Sequence, residues 1–178
     1  MSQEEVKKAE NGDPDPKLSD GNSLFYKSEV LGEKALIIYT FAFNKLVRAK
    51  YMLAKYRSPD EQKLLFAVIP PQKPIAGEWI YDFFKFEKAL KEKYGEPEKR
   101  HIVHPKEMDE NTSDRDMGKA IEIMEKALRN DDKFGWSSLW KTKNTMIILI
   151  LHSKGGRIIF EIGYSSIKLK NVEKEDSF

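Results

Sequence analysis

The sequence predicts an α+β fold: a tandem duplication of a helix plus a three-stranded antiparallel unit, with the helices packed on one face of the sheet and one inserted helix. Three observations lead to it. A charged helical run ending Val6-Lys7-Lys8-Ala9-Glu10 meets Gly12-Asp13-Pro14, and a second, ending Ala89-Leu90-Lys91-Glu92-Lys93-Tyr94, meets Gly95-Glu96-Pro97. After each Gly-acid-Pro stop, strand-like apolar runs alternate with short turns. In each half the middle run, residues 35–43 and 145–153, is apolar on both faces, as a strand covered on both sides tolerates. The units read as residues 1–54 and 78–167, joined by a Pro-rich connection over 55–77 and followed by a frayed charged tail over 168–178.

The first helix, over residues 2–10, opens with Ser2 and Glu5 at capping-box spacing, so that each side chain satisfies a free amide of the first turn. Gly12, Pro14 and Pro16 end it. Strands follow over 24–30, 34–43 and 46–53. In the second, Ala35, Ile37, Tyr39, Phe41 and Phe43 share a face. In the third, Val47, Ala49, Tyr51 and Leu53 point in while Arg48 and Lys50 point out, the pattern of a half-solvated antiparallel strand. Residues 55–77 carry Pro59, Pro70, Pro71 and Pro74 around an apolar stretch over 64–69 and read as a long connection with an edge strand. The helix over 78–94 places Ile80, Phe83, Phe84, Leu90 and Tyr94 at three-four spacing, which points to core packing. Residues 101–116 read as a polar loop. The helix over 117–129 carries Met117, Ala120, Ile121, Met124 and Leu128 on one stripe, with Lys126 and Arg129 in its last turn to suit the helix dipole. Strands over 136–142, 146–152 and 158–164 close the chain.

Composition excludes more than it selects. The chain is 40% hydrophobic and 11% aromatic, enough for a sizeable core and unlike a disordered segment. Lys and Arg number 31 against 29 acids, and the near cancellation supplies little drive toward nucleic acid. Having no cysteine, the chain has no disulfide, thiolate nucleophile or cysteine-held metal. No apolar run approaches the ~20 residues of a membrane helix. The start, Met1-Ser2-Gln3-Glu4-Glu5, shows neither basic nor apolar leader character, and localisation stays open between cytoplasm and cell envelope.

Catalytic signatures are absent: no nucleophile elbow, no phosphate-cradling loop, and carboxylate pairs only in polar segments. His101 and His104 have metal-like spacing, but in a polar loop they read as exposed side chains, so no metal or cofactor is expected. His152 ends an apolar strand and reads as partly solvated. The candidate binding surface is Trp136 and Trp140 on one strand face, Lys141 and Lys143 beside them, and Tyr164 on a nearby strand, because tryptophan and tyrosine are frequent binding anchors. Both tryptophans equally suit a core beneath the inserted helix.

The run Met1-Ser2-x-Glu4-Glu5-Val6, the Gly-x-Pro stops, and Trp140-Lys141-Thr142-Lys143-Asn144-Thr145 leading into an Ile/Leu strand resemble uncharacterised bacterial proteins. Their layout is similar to the SmpA/BamE-like envelope lipoprotein domain and to the duplicated β-lactamase-inhibitor-protein fold. That resemblance implies an antiparallel sheet whose exposed face or loops bind other proteins, and an envelope association. It supplies no catalytic residue. The function expected is a non-enzymatic protein-binding accessory module of bacterial origin. The alternative is a small-molecule or lipid-binding protein with a cleft between sheet and helices.

Overall fold

Alternating apolar positions make the strands, and two-residue turns set their order. We describe residues 1–10, 12–56, 77–108, 117–130 and 133–169 in a computed structural model. The strands are β1 (Ser23–Val30), β2 (Glu33–Ala42), β3 (Lys45–Leu53), β4 (Lys99–Val103), β5 (Gly135–Lys141), β6 (Thr145–Lys154) and β7 (Arg157–Ser166). Leu31-Gly32, Phe43-Asn44 and Gly155-Gly156 connect three hairpins, and all six residues have positive φ. Such turns twist in the same sense as the strands they join. At Leu31 and Phe43 the left-handed backbone is held by residues that rarely adopt it, and both side chains are exposed.

The strands form one seven-stranded sheet in the order β1-β2-β3-β7-β6-β5-β4, every neighbouring pair antiparallel. This corrects the expected tandem duplication of helix-plus-three-strand units. The sheet is continuous through β3 and β7, paired from Arg48↔Ser165 to Met52↔Glu161. β4 adds a strand where a loop was expected. All five of its residues are exposed, so no burial pattern marked it in the sequence. The helices do not repeat either. α1 (Gln3–Ala9) has seven residues and buries Val6, whereas α2 (Glu78–Tyr94) has seventeen and α3 (Met117–Arg129) stands beside it without a counterpart. The Pro-rich connection over 57–76 and the tail over 170–178 lie outside the described residues.

The three helices among the described residues pack on one face of the sheet. α1 forms the expected capping box between Ser2 and Glu5 and sets Val6 among Leu24, Tyr26, Ile37 and Phe41. α2 lays Trp79, Phe83, Phe86 and Leu90 on Leu149, Leu151 and Phe160, and α3 adds Ala120, Met124 and Ala127 to the same core. At about 100° per residue these α2 positions form one keel, with Asp82 on one flank and Glu87 on the other.

Both flanking carboxylates are buried, and both are matched to the sheet side. The chain leaves β3 through a single 3₁₀ turn, Ala54–Tyr56, which delivers Lys55 and Tyr56 under α2. Lys55 Nζ lies 2.8 Å from Asp82, 2.7 Å from Glu78 and 3.0 Å from Glu33. The Tyr56 hydroxyl also donates to Asp82. Burial alone would push the Lys55 ammonium down, but the carboxylates outweigh it and hold its pKa above the ordinary lysine value. On the opposite flank Ser138 Oγ donates to Glu87 at 2.5 Å, and Arg100 Nε lies 3.2 Å from it. These pairs fix α2 in rotation and in translation, since sliding it would strand two buried charges.

Lys55→Ala is expected to cost about 3–5 kcal/mol, because it leaves Asp82 buried without its cation. Lys50→Ala, which breaks the exposed-side pair with Glu161 (2.7 Å), is expected to cost about 1 kcal/mol or less. Urea denaturation of the two variants checks this; equal losses would show that the buried pairs do not anchor α2.

Candidate functional site

The sheet separates the residues expected to form one binding surface. Strand alternation sends Trp136 and Trp140 to the helix-covered face, where both are buried. Trp136 packs against Trp79, Phe83 and Phe84 at ring separations of 6.1, 5.6 and 6.0 Å. Trp140 Nε1 donates to the Gly95 carbonyl at 2.8 Å, tying β5 to the end of α2. Tyr164 is half-buried on the same face, against Tyr51 at 5.6 Å. Lys141 follows Trp140 and so points to the other face, while Lys143 is exposed in the β5–β6 turn. The five residues therefore form no common patch.

On the other face of the sheet Leu36 is buried, Phe25, Ile38, Met52, Leu139, Ile148 and Ile150 remain half-buried, and among the described residues no helix packs on it. One register row across it reads Lys27, Leu36, Met52, Glu161, Ile150, Ser137, His101. The next reads Phe25, Ile38, Lys50, Gly163, Ile148, Leu139, Lys99. The charge here is one-sided. Strand positions on this face carry Lys27, Lys34, Arg48, Lys50, Lys99, Lys141, Lys154 and Arg157, against Glu29 and Glu161. A chain nearly neutral overall thus presents a basic, apolar-centred face.

A cleft of about 500 Å³ opens at one corner of that face. Its origin is the small residues of β5. Gly135 and Ser137 sit between His101 and Val103 on β4 and Ile150 and His152 on β6, so two rows of larger side chains wall a floor of backbone. Gly135 is obligatory at this floor: a Cβ there would meet the Leu151 carbonyl at 2.7 Å and His152 Cβ at 2.8 Å. Lys133 and Lys154 lie at the hairpin end of the cleft, and no acid is among the described residues that line it. His152 Nδ1 is 3.3 Å from the Ser153 carbonyl oxygen. Sequence reasoning missed this site because its parts come from three strands, one of them read as loop. The usable signal was the Gly135-x-Ser137 alternation in an otherwise bulky strand.

His101 lies in β4 and points to this face, whereas His104 lies beyond the strand with its Nδ1 buried and without a hydrogen-bond partner among the described residues. Among the described residues no group of three or more His, Cys, Asp or Glu is placed to hold a metal ion.

No protein-family model matches the chain, and no curated protein or solved structure is significantly similar to it.

The covered face holds a second polar feature, an array of tyrosines between α1 and α2. Tyr39 donates to Glu10 Oε1 at 2.5 Å, and Tyr51 meets Tyr164 edge-on at 5.6 Å. Tyr26 packs edge-on against Tyr39 at 5.9 Å, its hydroxyl buried without a partner among the described residues. Burial, and for Tyr39 the Glu10 carboxylate after it, raises the pKa of Tyr26, Tyr39, Tyr51 and Tyr164 above the ordinary phenol value. A group whose pKa is raised on folding stabilises the fold below its unfolded pKa, and that contribution drains away as pH climbs toward the folded value. Stability is therefore expected to fall above about pH 10, with each phenol steepening the decline by about 1 kcal/mol per pH unit. Denaturation series between neutral and strongly alkaline pH should show a shallower decline in Tyr39→Phe; an unchanged slope would mean that Tyr39 ionises as easily folded as unfolded.

Proposed function

We propose that this protein is a non-enzymatic binding module that docks an acidic partner protein on the uncovered face of its sheet. The observation that carries the reading is the composition of that face: a half-buried apolar centre of Ile38, Met52, Ile148, Ile150 and Leu139, set among cations that outnumber the acids. An apolar centre with a charged rim is the anatomy of a protein interface. The excess of Lys and Arg selects partners of opposite charge and speeds their encounter. Stacking of nucleic-acid bases needs aromatic side chains interleaved with the cations, and on these two register rows the only aromatic is Phe25. The buried carboxylates of α2 are engaged by Lys55, Tyr56, Ser138 and Arg100, which supports a structural role for them over a catalytic one. The sequence resemblance to envelope domains that bind proteins through a sheet face agrees with this reading.

A photo-crosslinking amino acid at Ile38 or Leu139 should trap one defined protein in a host extract, whereas the same group at Lys88, on the outer side of α2, should trap none. The adduct should weaken with added salt and in a Lys99→Glu/Lys141→Glu variant, because exposed charge pairs are screened. Equal trapping from Lys88, adducts to nucleic acid, or indifference to charge reversal would overturn the reading.

A further inference from the structure

The cleft over Gly135 has a polarity gradient that the docking face as a whole lacks. Lys133 and Lys154 line its hairpin end, and Arg157 adjoins them. Lys154 stands directly opposite Arg157 in the β6–β7 ladder. Phe134 N–H donates to Ser153 Oγ at 3.0 Å and Ser153 N–H donates to the Phe134 carbonyl at 2.9 Å, which puts Lys133 beside Lys154 across the strands. Like charges set opposite each other in a sheet destabilise it. No ion pair among the described residues relieves Lys133, Lys154 or Arg157, and all three are exposed. Its apolar walls are Val103, which faces His152 across Gly135, and Ile150, which faces His101 across Ser137, over a floor of Gly135 and Ser137. Ser137 and His101 supply the polar atoms at the end away from the hairpin.

From this geometry we infer that the cleft is a binding site for a small amphipathic organic anion, a carboxylate or sulfonate on an apolar body. The anionic head sits among Lys133, Lys154 and Arg157, where it removes their mutual repulsion. The apolar body lies along the Gly135 floor between Val103 and Ile150. The cleft volume of about 500 Å³ falls within the span of small-ligand sites, which are apolar concavities with a few oriented polar groups. A head bound by charge and a body bound by burial make both halves of the ligand necessary. The inference stands on the cleft alone and does not require a partner protein.

The test uses the purified full chain, with anilinonaphthalene sulfonate as fluorescent probe and decanoate and decanol as competitors. Decanoate should displace the probe, and decanol, with the same body and no charge, should do so about tenfold more weakly, the scale of one charge-assisted contact. Lys133→Glu/Lys154→Glu should remove the preference for decanoate and leave decanol unchanged. Ile150→Trp and Ser137→Trp, both on the uncovered face and each filling the cleft, should abolish probe binding with the thermal melting temperature retained. Probe binding that survives both tryptophan variants would place the ligand elsewhere and overturn the inference. Equal affinity for decanoate and decanol would overturn it as well, as would failure of the unaltered chain to bind either.

Discussion

The pairing of β3 with β7 is the constraint on which the molecule depends. These strands lie more than a hundred residues apart in the chain, and their five-residue ladder makes one sheet from two sets of hairpins. Each side of the seam is reinforced. On the covered side Tyr56, just past β3, stacks on Phe160 of β7 at 5.6 Å, and Phe86 of α2 meets the same ring at 5.4 Å. Lys55 binds Asp82 next to that stack. On the uncovered side Lys50 and Glu161 pair at 2.7 Å across the ladder. Closing so long a loop costs conformational entropy, and the ladder alone is short. The aromatic stack and the buried charge pair supply the rest by removing apolar area and satisfying each other's polar groups.

The same arrangement decides which face the described helices leave open. α2 needs a wide apolar bed for its keel and partners for two carboxylates, and only one face of the sheet offers both. With α1 and α3 drawn to that face as well, the cations alternating with the core residues are left together on the other. The basic face is therefore a by-product of strand periodicity combined with one-sided helix packing. Tryptophans that would serve as anchors on an exposed strand are consumed as the bed of α2, and Trp140 also caps the carbonyl at Gly95.

The cleft depends on both consequences. It needs β4, a polar edge strand that buries none of its own residues, to supply an outer wall. It needs β5 and β6 close enough that position 135 tolerates no side chain. The β6–β7 hairpin and the start of β5 bring like charges to one corner, where no acid among the described residues pairs with them. A site of this kind is built from backbone proximity and residue size, with rigid strands holding its walls in place.

Much of the local structure was legible in the sequence. The capping box of Ser2 and Glu5, the span of α2, the span of α3, and strands β2, β3, β6 and β7 all follow from short-range rules of capping, periodicity and turn residues, and those rules act within a few positions. β4 was not legible, because an exposed edge strand carries no apolar alternation. The duplicated architecture read from the Gly-acid-Pro stops was wrong, because such stops end a helix whatever sheet follows it. The sequence determined that Trp136 and Trp140 share a face, and also that Lys141 does not. Which face is covered, which tryptophan neighbours which helix, and whether Gly135 floors a cleft were decided only by the tertiary structure. Those outcomes rest on the β3–β7 seam and on the seating of α2 through Asp82 and Glu87, contacts between residues far apart in the chain whose partners no local pattern names.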